Sequence, residues 1–344
     1  MHRLYCGNDV QPNSRITTNG VFSMRLFSVK TALSFIAFAL LCCGLARAQA
    51  PAEAAPVFFK LAELAPGVFA AIDVEGKAGA NAGFVIGDDG VLVIDSFYKP
   101  EAAQALLAEI RKRTALPLRF LVNTHYHIDH VSGNRIFADA GAQVIGQQRM
   151  HDWVQSENMK FFGSKATDAD RANVQKLLAP QLGYDQTLHL WLGRRSVLLR
   201  FWPGHTGSDT VVYVPDAGVM FGGDLFWSRA IPNLIDATVA HWTQSLERMA
   251  EEQGVRYSII VPGHGDVASG VELQEFKNYL LDLRETVAKL QRQGLTGDAL
   301  HDAAVQELTP RYGGWRHNRL MRPNVRDMAA ELAGSKRLPG APQH

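Results

Sequence analysis

Leu118-Arg119-Phe120-Leu121-Val122-Asn123-Thr124-His125-Tyr126-His127-Ile128-Asp129-His130 decides the fold of this chain. The first five residues form a short apolar run of the kind that builds a buried strand. The last six hold three imidazoles and one carboxylate, in a chain with 12 histidines among 344 residues. A buried structural histidine ordinarily stands alone and needs one hydrogen-bond partner. Imidazole nitrogen and carboxylate oxygen at this density are the donors that catalytic zinc takes, with a coordination position left for water.

Three later places repeat the pattern of an apolar run followed by a glycine-flanked polar residue. His205 stands in Pro203-Gly204-His205-Thr206-Gly207, Asp224 in Phe221-Gly222-Gly223-Asp224, and His264 in Val261-Pro262-Gly263-His264-Gly265. Glycine allows the turns that aim such a side chain back over the end of a sheet. Four strand ends thus present His125, His127, Asp129, His130, His205, Asp224 and His264, in the manner of an active site built on loops over a rigid scaffold. These seven donors exceed one tetrahedral ion and suit two ions that share a ligand. His2, His151, His189, His241, His301, His317 and His344 lack that setting and read as structural.

The order His-x-His-x-Asp-His, Gly-His-Thr, Gly-Asp, Gly-His-Gly resembles the metallo-β-lactamase superfamily of binuclear metallohydrolases, over residues 69 to 283 or thereabouts. The resemblance implies an α/β fold, a four-layer αββα sandwich with the site at one edge of its paired sheets. It implies that His125, His127 and His205 hold one metal, that Asp129, His130 and His264 hold another, and that Asp224 bridges the two. In such a site two zinc ions, about 3.5–4 Å apart, lower the pKa of a shared water towards neutrality, and the hydroxide attacks an acyl carbon. Asp129 would both ligate and orient that water. Iron and manganese also suit these donors.

Residues 200–280 are similar to the class B β-lactamases that carry three His on one metal and Asp, Cys and His on the other. Asn233 matches the asparagine that helps stabilise the lactam oxyanion in those enzymes, which makes it a catalytic candidate beside Asp129. Two positions depart from the pattern. Asp224 stands where they carry the cysteine ligand, and Trp227 stands where many carry a drug-binding lysine, with Arg229 nearby to replace it. Trp227, Arg229 and Asn233 are therefore the substrate-binding candidates. His130 and a bridging Asp224 instead resemble glyoxalase II and related thioester hydrolases. The expectation is a two-zinc hydrolase of a small ester, thioester or lactam. A β-lactamase and a glyoxalase II-like thioesterase are the alternatives. A non-hydrolytic di-iron redox protein is a distant one, disfavoured by the lack of a flavodoxin-like partner domain.

Composition is that of an ordinary globular protein: 47% hydrophobic, 20% charged, and a formal net charge of +1 that offers no basic excess for nucleic acid, while the resemblance implies a small-molecule acyl substrate. Arg25 and Lys30 flank the start of an apolar stretch, residues 32–45, which ends in Ala46-Arg47-Ala48-Gln49-Ala50. Positive start, short apolar core and small-residue end are the parts of a secretory signal, and the stretch is short for a membrane span. Cleavage near Ala48 or Ala50 and a periplasmic or secreted protein without stable membrane insertion are expected. Cys6, Cys42 and Cys43 all lie upstream of that cut, so the mature chain would hold neither a disulfide nor a thiolate ligand.

Three segments follow: a leader and signal over 1–50, a catalytic domain over 51–270, and a helical extension over 271–344 packed on the same domain. Strands are expected at 58–64, 68–74, 83–86 and 91–94, with Asp88-Asp89-Gly90 as a hairpin turn. A helix over 101–113 precedes the strand that carries the first histidines, and a helix over 133–140 and a strand over 142–145 follow it. A further strand run from 197 to 220 fits two packed sheets with helices outside. Residues 150–180, which include Trp153, Phe161 and Phe162, either overhang the site or form a solvated helix pair. A long helix over 274–292 and one or two short helices within 295–332 complete the chain.

Overall fold

Val91-Leu92-Val93-Ile94 shows how the layers arise. In the computed structural model, which describes residues 56–251 and 256–340, this strand sends Val91 and Val93 to one side and Leu92 and Ile94 to the other. Successive side chains of a strand point to opposite faces, so a strand that is apolar throughout must be covered twice. The expected leader, the expected cleavage near Ala48 or Ala50 and the three cysteines lie outside the described residues.

The first sheet runs in chain order. Strands β1 (Phe59–Ala65), β2 (Val68–Asp73), β3 (Ala82–Ile86) and β4 (Val91–Ile94) form an antiparallel meander. Strands β5 (Leu118–Val122), β6 (Gln143–Gln147) and β7 (Leu182–Tyr184) then add in parallel. The second sheet holds β8 (Thr187–Leu192), β9 (Arg195–Phe201), β10 (Thr210–Val214) and β11 (Val219–Trp227), all antiparallel, and β12 (Ile259–His264) closes it parallel to β11.

Leu92, Ile94 and Val122 meet Val197, Leu199, Val212 and Phe221 between the sheets. On the outer face of the first sheet, Val91, Val93 and Leu121 pack on Leu106 and Ile110 of α1 (Pro100–Arg113) and on Phe137 of α3 (Asn134–Asp139). On the outer face of the second, Val211, Tyr213 and Met220 pack on α6 (Val239–Glu251), α7 (Gly270–Arg292), α8 (Gly297–Tyr312) and α9 (Met321–Leu332). The architecture is the expected αββα sandwich with a helical C-terminal region. Each fully buried Leu, Ile or Phe contributes roughly 1.5–3 kcal/mol by transfer. With both faces of both sheets covered, the scaffold stands on apolar packing and carries the polar cluster as a passenger at one edge.

The elements depart from the sequence reading in several places, among them strands β7 and β8, which it did not foresee. Helix α7 begins at Gly270 because Ser269 and Glu272 form a capping box at its start. Helices α8 and α9 have 16 and 12 residues, and Pro310 falls in the last turn of α8. Strand β11 does not stop at Phe221 but runs on to Trp227, with its pairing to β12 shifted at Gly223. The segment after β6 forms α4 (Met150–Ser156), a 3-10 stretch (Asn158–Lys165) and α5 (Asp168–Gln175). Its Met150, Trp153, Val154 and Val174 make a small core with Tyr126 and Val131, so it is seated on the loop after β5 and is not a solvated pair. Among the described residues no helix is long and apolar enough to cross a membrane.

Candidate metal centre

The ends of β5, β9, β11 and β12 converge. One ligand atom from each of His125, His127, His205 and Asp224 lies within 4.8 Å of the others, and the same holds for Asp129, His130 and His264. Asp224 faces both groups. Its Oδ2 lies 3.2 Å from His205 Nε2 and 3.7 Å from His125 Nε2. Its Oδ1 lies 3.2 Å from His130 Nε2 and 3.4 Å from His264 Nε2. Backbone geometry makes room for this carboxylate. A Cβ at Gly263 would sit 1.9 Å from Asp224 Oδ1, and Gly223 takes a φ of 50° against Thr124, so both positions demand glycine.

His125, His127 and His130 are oriented from behind by side chains, whereas His205 and His264 are positioned through their loops. Helix α2 (Ile128–Val131) presents His130, whose Nδ1 lies 2.8 Å from Asp95 Oδ2. Asp95, at a φ of 56°, also accepts from Thr124 N–H at 2.8 Å and Thr124 Oγ1 at 2.7 Å. His125 Nδ1 lies 3.2 Å from Thr124 Oγ1, which leaves Nε2 for the cluster. His127 is reversed: its Nε2 is 2.9 Å from Asp236 Oδ2, and its Nδ1 faces His205 Nε2 at 3.0 Å. Asp236 also accepts from Tyr126 Oη at 2.5 Å and from Lys160 Nζ at 2.6 Å. Lys160 comes from the segment after β6, and the neighbouring Phe161 packs edge-on to His127. Asp209 holds the His205 loop by accepting from Gly204 N–H at 2.9 Å and Thr206 N–H at 2.8 Å. Asn81 Nδ2 donates to Pro262 O and Gly265 O, both at 2.9 Å, and so clamps the backbone on either side of His264.

The electrostatics divide the cluster. Burial, reinforced by the charge of His130, holds His125 well below the usual imidazole range, and burial takes His205 down to about 3. Burial opposes charge at His130 too, but Asp224, Asp95 and Asp129 overcome it and push that imidazole well above its usual range. For the same reason His264 rises to about 9 beside Asp224 and Asp129. Burial would raise Asp224, and the imidazoles of His264, His130, His125 and His205 overrule it and hold the carboxyl well below its usual range. His125 Nε2, His130 Nε2, His264 Nε2 and Asp224 Oδ1 are buried without a hydrogen-bond partner. Converging lone pairs left in this way are the donor set a divalent cation satisfies.

The substrate-binding candidates separate. Trp227 is buried and stacks on His264, with ring centroids 4.0 Å apart. Asn233 is half-buried, and its Oδ1 accepts from Ile235 N–H at 3.2 Å. Arg229 is not brought to the cluster: it is 65% exposed and pairs with Glu275 at 3.2 Å, in a surface cleft lined by none of the seven donors. Its φ of 47° turns the chain away directly after β11. Sequence reasoning missed Asp95, Asp236 and His317. Asp95 follows the apolar run of β4 just as the ligands follow theirs, so the same signal was there without the glycine. His317, read as structural, has its ring 6.0 Å from that of His264 and 5.8 Å from that of Trp227.

A sandwich with a two-part His/Asp cluster at one sheet edge defines a metal-dependent hydrolase. Residues 76–264 match the sequence profile of the metallo-beta-lactamase superfamily, and the chain belongs to that family. It is 21% identical over 269 residues to the linear primary-alkylsulfatase of Pseudomonas sp. (strain ATCC 19151), an alignment that covers 66% of this chain and half the length of that enzyme. It is 25% identical over 198 residues to the metallo-beta-lactamase type 2 of Bacillus cereus, covering 56% of this chain and 70% of that one. The structure of a metallo-beta-lactamase from Pontibacter korlensis superposes with a TM-score of 0.52 at 21% identity, over 65% of this chain and 99% of that one, and shares the fold.

Proposed function

We propose that this chain is an exported two-zinc hydrolase of a small ester, thioester or lactam, with esters and thioesters ahead of lactams. The observation that carries the reading is Asp224, whose two oxygens face different imidazole pairs at 3.2–3.7 Å. His125, His127 and His205 would hold one zinc, Asp129, His130 and His264 the other, with Asp224 between them. Zinc there supplies Lewis acidity and lowers the pKa of a water to near neutrality. Asp129, with 29% of its side chain exposed, is the donor open to solvent; it orients the attacking water and accepts its proton. Asn233 has Oδ1 committed to Ile235, which leaves Nδ2 to donate to a carbonyl oxygen as it gains charge. Trp227, stacked on His264, keeps water from that side. Export is supported by the signal pattern over residues 25–50, and intact mass of the native protein tests it.

Asp224 ranks the substrates. A carboxylate spans both half-sites, whereas the thiolate of the class B enzymes it resembles would bind one and leave more room for a lactam nitrogen. Sulfate esters are a second reading, supported by the similarity to an alkylsulfatase over two thirds of the chain. The test is kcat/KM for an acyl thioester, an alkyl sulfate and a chromogenic cephalosporin, in the wild type and in Asp224→Cys. The thioester should lead in the wild type, and the variant should shift towards the cephalosporin. Cephalosporin turnover near roughly 10⁸ M⁻¹s⁻¹ in the wild type would make the protein a β-lactamase and overturn the ranking.

A further inference from the structure

His317 belongs to the C-terminal region, more than fifty residues beyond the last strand-end donor, yet it is delivered to the cluster by a backbone clamp. Arg316 pairs with Ala230 as a parallel bridge: Ile231 N–H donates to Arg316 O at 2.9 Å, and Arg316 N–H donates to Arg229 O at 3.0 Å. The Arg316 guanidinium reaches Asp266 at 3.0 Å. The short segment is therefore tied at once to the chain leaving β11, which carries Asp224, and to the chain leaving β12, which carries His264. Between those ties His317 adopts a φ of 58° and a ψ of 25°, a left-handed conformation uncommon outside glycine. Strain of this kind persists where the surroundings hold a residue for a purpose. Here it turns the imidazole over the pair of rings formed by Trp227 and His264.

The ring is half-buried, and no described hydrogen bond uses either of its nitrogens. By contrast, His125, His127, His130 and His205 each have a ring nitrogen engaged with a named partner. An imidazole carries at least one N–H in either protonation state, so His317 offers a donor to whatever lies over the Asp129, His130 and His264 side. We infer that His317 is a substrate-contacting residue, donating a hydrogen bond to the carboxyl-derived group of the acyl substrate at that half of the site. The inference rests on the hydrolase reading for the nature of its ligand. It also assigns the C-terminal helices a task beyond covering the second sheet: they complete the site.

The experiment uses the zinc-loaded full chain, with p-nitrophenyl butyrate as substrate and butyrate as the product probe. His317→Ala and His317→Gln are compared with wild type for zinc per chain, melting temperature, kcat, KM and the butyrate Kd by calorimetry. Loss of one hydrogen bond to a charged or polar group should raise KM and the butyrate Kd about five- to tenfold in His317→Ala. Zinc content and melting temperature should stay at wild-type values, and glutamine, which keeps an N–H donor, should recover part of the loss. A KM and Kd within twofold of wild type, equal effects of alanine and glutamine, or loss of zinc in either variant would overturn the assignment. A wild type that turns over no ester but still binds butyrate would defeat the hydrolase reading alone, and the butyrate series would still decide His317.

Discussion

The two halves of the cluster are built from the same residue types and differ in kind. The His125, His127 and His205 half is sealed: all three imidazoles are buried, and burial keeps His125 and His205 neutral. The Asp129, His130 and His264 half opens to solvent through Asp129, and its carboxylates hold protons on His130 and His264. Neutral nitrogens receive a cation without giving anything up, whereas charged ones must first lose a proton. The contrast teaches that one carboxylate, Asp224, faces two environments, a dry one and a wetter one.

The largest effect should come from breaking the sealed half. His127→Ala should abolish turnover while the melting temperature of the metal-stripped protein stays close to wild type, because the sandwich packs through both sheet faces without this side chain. Wild-type activity in that variant would show that the two halves are not one site. A smaller loss should follow from Asp236→Asn, which leaves the ligands intact but removes the carboxylate that fixes the His127 ring at 2.9 Å. Partners of this type are worth about 10–100-fold in metal affinity or activity. Zinc affinity and turnover both unchanged would mean that the ring is held by packing against Phe161 and Tyr126 instead.

The subtlest prediction concerns pH. His264 is raised from 6.5 to about 9, so in metal-stripped protein it contributes stability that is fully present below about pH 6.5 and is lost as pH rises through about 9. A cation has the opposite dependence because it competes with that proton. Lowering the pH from 9 to 6 should therefore weaken one zinc equivalent markedly and the other much less. Parallel weakening of both equivalents would erase the distinction between the halves.

The ligands were legible in the sequence because each obeys a local rule, an apolar run followed by a polar residue at a turn. The layers were legible because Val91 to Ile94 and Leu118 to Val122 are apolar at successive positions and so need cover on both faces. What orients the ligands was not. Asp236 reaches His127 across more than a hundred residues of chain, Lys160 joins it from the segment after β6, and His317 arrives from behind α8. Such partners are set by which strand ends meet, a property of the assembled sheets that no window of sequence contains. Arg229 shows the converse: it stands close in sequence to Trp227, but its side chain pairs with Glu275 at the surface.

The central claim is that Asp224 makes two half-sites into one two-ion centre. Its most direct test is a zinc titration of the metal-stripped protein at pH 9, in the wild type and in Asp224→Ala, with bound metal counted per folded chain. The account predicts two equivalents for the wild type and at most one for the variant, with folding retained in both. A wild type that binds no more than one equivalent, or a variant that still binds two as tightly, would contradict it.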